Sequence, residues 1–126
     1  MTELAPSYRE PHRPLELPAA LPQPDLNEVR LDQVTSVLSE PIRLTILQKL
    51  LKHSDEWDHP CAWFGFDRPK STLSYHYKVL REAGLITQRQ YGLERRSRVR
   101  MDEVKERFPG LIELILEWTP PGDELP

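Results

Sequence analysis

His53, Asp55, Asp58, His59 and Cys61 bring imidazole, carboxylate and thiol groups within a short stretch of chain. Nitrogen, oxygen and sulfur donors so bunched can hold a borderline ion such as Ni²⁺ or Zn²⁺, the more so if His12 or a second subunit completes the shell. The stretch lacks paired ligand spacing, so it also reads as a polar loop carrying a half-buried thiol. His53, His59 and Cys61 are therefore weak metal candidates, and no cofactor is certain. Nucleophilic catalysis is a poorer fit, since a thiolate is activated by geometry and not by histidines nearby in sequence. The chain also has no glycine-rich phosphate loop and no nucleophile elbow, so it reads as a non-enzyme.

A second group of side chains carries a different chemistry. Residues 68–100 hold nine lysines or arginines against two glutamates, a formal +7 in a chain whose total is −3, which leaves −10 for the remainder. Charge segregated in this way marks a surface that attracts a polyanion, and salt screens the distant acids within about 8–10 Å.

The elements that must position these charges follow from periodicity. Ser71 and Thr72 are candidate caps of a helix whose apolar face is Leu73, Tyr77 and Leu80, widened by Val79 and Ala83 and ended at Gly84. Ser74, Tyr75, Lys78 and Arg81 then point away from the core, with His76 near the boundary. Hydroxyls, a phenol, an imidazole and cations on one exposed helical face suit the base edges and phosphates of a major groove. After Gly84 the period becomes two. Residues 85–91 and 96–101 read as strands joined by a turn at Gly92, Leu93, Glu94 and Arg95, with Ser97, Val99 and Met101 on one face and Arg96, Arg98 and Arg100 on the other. An arginine-lined hairpin directly after such a helix is the wing of a winged helix-turn-helix.

The run STLSYHYKVLREAGLI, with LSEPIRLTILQKLL upstream, resembles the ArsR/SmtB family of winged-helix transcriptional regulators, across about residues 31–118. That resemblance implies a mainly α fold with a two-stranded β-hairpin wing, dimeric through its first and last helices, and an operator-binding regulator, usually a repressor released by an effector. It implies double-stranded DNA and a second copy of the chain as partners. Of the family's two common metal sites, the thiolate site needs two or more cysteines where this chain has Cys61, and the site on the last helix needs histidines where this chain has Glu113 and Glu117. The resemblance places Arg43 in a Pro-x-Arg-Leu pattern, where a DNA-backbone contact and a structural ion pair both remain open.

Three parts are expected along the chain: a proline-rich disordered arm (1–24), a DNA-binding and dimerisation domain (25–119) and a short tail (120–126). Arg9, His12 and Arg13 give the arm a means to reach DNA or a partner; a solvated tail is the plainer reading. A first helix is expected over 26–38 with Val34 and Leu38 on its apolar side. Ser39 is the expected cap of a second helix whose buried face is Ile42, Ile46, Leu47, Leu50 and Leu51. The resemblance implies the short first helix of the helix-turn-helix at about 60–66, which puts Trp57, Trp63, Phe64 and Phe66 in the core and not on stacking platforms. Beyond the wing, one helical turn over 102–107 precedes a last helix that is apolar on nearly every face, and this assigns Leu111, Leu114, Ile115 and Trp118, with Val34 and Leu38 of helix one, to a dimer interface. The lone cysteine, the absence of a long apolar run and the lack of a basic-then-apolar leader point to the cytoplasm.

Within this reading, Ser74, Tyr75 and His76 read bases, and Ser71 and Thr72 approach the groove wall. Lys70, Lys78, Arg81, Arg95, Arg96 and Arg98 neutralise phosphates. The rival is a winged helix that binds protein without sequence-specific DNA binding, which would present apolar or acidic residues on the same helical face.

Overall fold

The computed structural model describes residues 17–53, the backbone of 59–60, and residues 69–120. A proline decides where its second helix begins. The residue before proline is pushed out of the helical region, so Glu40, at ψ 116°, is the N-cap, and Pro41 occupies the first helical position, where no N–H is needed. Helix α2 thus runs Pro41–Lys52, capped one residue later than expected at Ser39. The Ser39 hydroxyl instead donates to the Ser36 carbonyl at 2.7 Å, closing the end of α1 (Leu31–Leu38). Ile42, Ile46, Leu47, Leu50 and Leu51 are buried as expected. Thr45 and Gln48 are buried beside them, and each has a partner. Thr45 donates to the Pro41 carbonyl at 3.0 Å, while the Gln48 amide donates to the Ile115 carbonyl at 2.9 Å and to that of Trp118.

The expected single helix over 26–38 is two pieces. Asp25 accepts the Asn27 N–H at 2.9 Å and starts a 3-10 turn, Leu26–Glu28. Val29 and Arg30 are then extended before α1 begins. The break has a cause in the partner element: Arg107 donates to the carbonyls of Leu26 and Val29 at 3.1 and 2.8 Å, drawing out oxygens that a continuous helix would use internally.

Helix α3 spans Lys70–Glu82 with Pro69 at the cap position and no side-chain cap, so Ser71 and Thr72 lie in the first turn without the capping role assigned to them. Leu73, Tyr77 and Leu80 are buried. Gly84 follows at φ 81°, and a Cβ there would meet a Leu26 methyl at 2.7 Å. Glycine is needed both for its conformation and for the close approach.

Strands β2 (Ile86–Tyr91) and β3 (Glu94–Val99) form an antiparallel hairpin in which Ile86 faces Val99 and Tyr91 faces Glu94. Its loop is two residues, Gly92 and Leu93, shorter than the four-residue turn expected; Gly92, at φ 63°, supplies the conformation a tight hairpin requires. Strand β1 (His59–Pro60) adds to the other side of β3, giving the order β1-β3-β2. Pro60 is therefore in a strand and not at the start of the expected 60–66 helix; residues 61–66, with Trp63, Phe64 and Phe66, and Trp57 lie outside the described residues. Helices α4 (Met101–Arg107) and α5 (Leu111–Glu117) follow, so Met101 and Arg100, expected in the second strand, lie in α4 and at its cap.

The core gathers Val34, Ile46, Leu50, Tyr77, Leu80, Ile86, Val104, Ile112 and Ile115 from every helix and the sheet. Residues 17–24 also differ from the expected disordered arm. Leu21 donates its N–H to the Gln88 carbonyl at 2.8 Å and Ala20 bridges Arg89, so the segment lies along the outer edge of β2. Residues 1–16, with Arg9, His12 and Arg13, and 121–126 lie outside the described residues. Among the described residues no helix is long and apolar enough to cross a membrane.

Candidate nucleic-acid interface

The 3.6-residue period of α3 sorts its side chains into two sets. Lys70, Ser71, Ser74, Tyr75 and Lys78 are exposed, and Thr72 and His76 are half-buried at the boundary. Tyr75 keeps 60% of its surface and stands 5.8 Å, ring centre to ring centre, from His76. Hydroxyl, phenol, imidazole and ammonium groups therefore share one strip about two and a half turns long.

The wing supplies guanidinium groups beside it, in three different states. Arg95 is exposed at the hairpin tip, its Nε donating to Gln90 Oε1 at 3.0 Å. Arg96 pairs with Glu94 at 2.7 Å and lies 4.6 Å over the Tyr91 ring, an arrangement that holds the guanidinium at the strand surface. Arg98 is half-buried on the same face of β3.

Arg81 is the exception among the α3 residues expected to face outward. It retains 9% of its surface, and its guanidinium donates to the Pro22 carbonyl at 3.1 Å and to Gln88 Oε1 at 2.7 Å. Burial is the main cause that lowers its pKa, with Arg95 adding to the effect and Glu82 opposing it; an arginine so placed stays protonated. Arg43 likewise turns inward, donating to the Val37 carbonyl at 2.9 Å. Gln88 and Ser97 are buried and join Arg81 in one hydrogen-bonded line; Ser97 shares the face of β3 expected for it with Val99, whereas Gln88 was not among the residues singled out in the sequence. The period-two pattern of β2 places Gln88 on the inward face with Ile86, and an inward amide is the signal that a buried polar network exists.

The residues assigned to a dimer interface also divide. Val34 and Ile115, 0% and 4% exposed, are not at the surface but in the protomer's own core. Leu38, Leu111 and Trp118 are half-buried. Leu114 is 65% exposed, and Leu31 and Leu116, not singled out before, are exposed with it. For the metal candidates, Asp55, Asp58 and Cys61 lie outside the described residues, and His59 is described only by its backbone. Among the described residues no three potential ligands converge.

No family model matches the chain. An uncharacterized HTH-type transcriptional regulator, YceK of Bacillus subtilis (strain 168), is 33% identical over 85 residues, which cover 66% of this chain and 83% of the relative.

Proposed function

This chain belongs to the helix-turn-helix transcriptional regulators, and on that premise we propose that it is a repressor of the ArsR type, a homodimer that binds an inverted-repeat operator. Kinship with a helix-turn-helix regulator supports DNA binding. The observation that carries this proposal is the composition of the exposed α3 strip: serine, tyrosine and lysine beside an exposed arginine at the wing tip. A protein-binding winged helix would present apolar or acidic groups there.

In this reading α3 enters the major groove, and two copies place their helices one helical turn of DNA apart. Ser74, Tyr75 and His76 read base edges, and Ser71 and Thr72 approach the groove wall. Lys70, Lys78, Arg95, Arg96 and Arg98 meet phosphates, which position the protein without specifying sequence. Arg81 is left out, because its guanidinium is committed inward. The second copy covers the exposed leucines of α1 and α5, and occupancy of the operator occludes a promoter. The effector that releases it is sought first among divalent metals through His53, His59 and Cys61.

The test is an anisotropy titration of the reduced chain onto duplex DNA from upstream of its own gene, against a shuffled duplex, with chelator and then with Ni²⁺ or Zn²⁺. Operator-selective binding supports the proposal, and a metal effect of tenfold or more, about 1.4 kcal/mol of coupling, assigns the effector. Equal binding to both duplexes sinks it.

A further inference from the structure

Five carbonyls between residues 18 and 29 are taken up by four arginines of the fold. Arg89 of β2 donates to Pro18 at 3.0 Å, Arg81 of α3 to Pro22 at 3.1 Å, and Arg100, at the cap of α4, to Pro24 at 2.8 Å. Arg107 of α4 takes the carbonyls of Leu26 and Val29. Between the first two of these, the Leu21 N–H bonds the Gln88 carbonyl at the edge of the wing. Prolines 18, 22 and 24 have no N–H, so the segment can accept bonds from the domain yet offers few donors to a further strand, and the sheet ends there.

Arg81 joins this strap to the reading elements. Its Nε holds the strap at Pro22 while its Nη1 holds Gln88 of β2 at 2.7 Å, and Gln88 in turn donates to Ser97 Oγ of β3 at 3.1 Å. Arg81, Gln88 and Ser97 are all buried, the last two almost completely. One line of hydrogen bonds therefore runs from the strap, through the last turn of α3, across both strands of the wing. A guanidinium suits the junction because its fork fixes two acceptors at once, which a lysine ammonium on a flexible stem does not.

We infer that the strap, residues 18–25, is a working part of the DNA-reading head, with Arg81 a positioning residue that locks α3 and the wing into one rigid unit. The inference rests on the proposed DNA-reading role and adds to it a specificity determinant that touches no DNA. Phosphate attraction needs only charge near the duplex, so it survives a loosened head. Simultaneous fit of α3 to base edges and of the wing to the flanking backbone does not, because it needs both elements held at one relative angle.

The experiment compares the full chain with Leu21→Pro, which removes the N–H bonded to Gln88 and alters no charge, and with Arg81→Gln. Each is titrated onto operator and shuffled duplex over a range of salt, at a temperature where circular dichroism shows it folded. The expected result is an operator-to-shuffled affinity ratio about tenfold lower in both variants, with the salt dependence of the shuffled duplex unchanged. Discrimination within twofold of the native chain would overturn the inference, as would a salt slope lower by about one in Arg81→Gln, the sign of a direct phosphate contact. A native chain that fails to discriminate at all brings down the DNA-reading proposal itself, which separates the two failures. Hydrogen exchange on the native chain tests the strap independently of any variant: the Leu21 amide is expected to be protected as strongly as those of β2, and exchange at the rate of an open chain would contradict it.

Discussion

Lys78 and Arg81 stand one turn apart on α3, and the structure uses them in opposite ways. Lys78 is exposed, while Arg81 is folded under the strap between Pro22 and Gln88. The wing and its flank repeat the division: Arg95 is open at the tip, whereas Arg100, at the base, is buried against Pro24 and Glu103. The +7 of the cationic window is thus two populations. One end of the head offers charge to solvent, and the other spends its arginines on backbone carbonyls. Helix α5 shows the same contrast in apolar form, with Ile115 in the core and its neighbour Leu114 exposed.

The largest effect should separate that last pair. Ile115→Glu buries a carboxylate without a partner and is expected to cost more than about 4 kcal/mol, leaving little folded protein by circular dichroism. Leu114→Glu should leave the protomer folded within about 0.5 kcal/mol and, under the proposed dimer, yield monomers in sedimentation. A Leu114→Glu dimer would misplace the interface.

Next comes the cation pair. Arg81→Ala strands Gln88 and the Pro22 carbonyl and should cost about 3 kcal/mol, lowering the melting temperature by about 10 °C or more. Lys78→Ala should melt within a degree or two of the native chain, about 0.5 kcal/mol at most. Equal melting temperatures would erase the distinction between the two populations.

A smaller effect belongs to the wing tip. Replacing Arg95 and Arg96 together by Ala should weaken binding to all duplexes alike and flatten the salt dependence by about two units of slope. A flattening of about one would sharpen the comparison, leaving only the exposed Arg95 on the phosphates and keeping Arg96 with Glu94 and Tyr91.

The smallest effect is in acid. Two hydrogen bonds from Arg100, at 2.9 and 3.0 Å, hold the Glu103 carboxyl below its ordinary value near 4.5, against an opposing contribution from burial. A lowered folded pKa means that the ionised form stabilises the fold above the unfolded value and that this contribution fades as pH falls through the folded one. Glu103→Gln should therefore lower stability slightly at neutral pH and flatten its decline below about pH 4.5. Denaturant titrations that show parallel acid limbs in both proteins would deny the pair any part.

Periodicity made α2, α3 and the wing legible, because each buries one face against the core and their apolar positions recur at 3.6 or 2 residues. Boundaries were harder. Glu40 caps α2 because Pro41 constrains it, a rule readable in sequence, but the break at Val29 depends on Arg107, whose approach no local pattern foretells. Arg81 departs from its expected outward direction for the same reason. Helical spacing gives a direction from the axis, and only tertiary structure revealed that residues 20–22 cover that side. The α3 face from Lys70 to Lys78 was legible because Lys70, Ser71, Ser74, Tyr75 and Lys78 stay exposed among the described residues, as their helical spacing indicates. The strap was least legible, since proline-rich composition signals the absence of helix and says nothing of carbonyls that arginines elsewhere can use.

The central claim is that the exposed strip of α3, presented twice by a dimer, reads a DNA sequence. Selection of duplexes from a random-sequence library by the full chain measures this most directly. Enrichment of an inverted repeat whose half-sites are centred about one helical turn apart is expected, and is expected to be lost in a variant carrying Ser74→Ala and Tyr75→Ala. A pool that stays random after repeated rounds, or a motif unaffected by those substitutions, would contradict it.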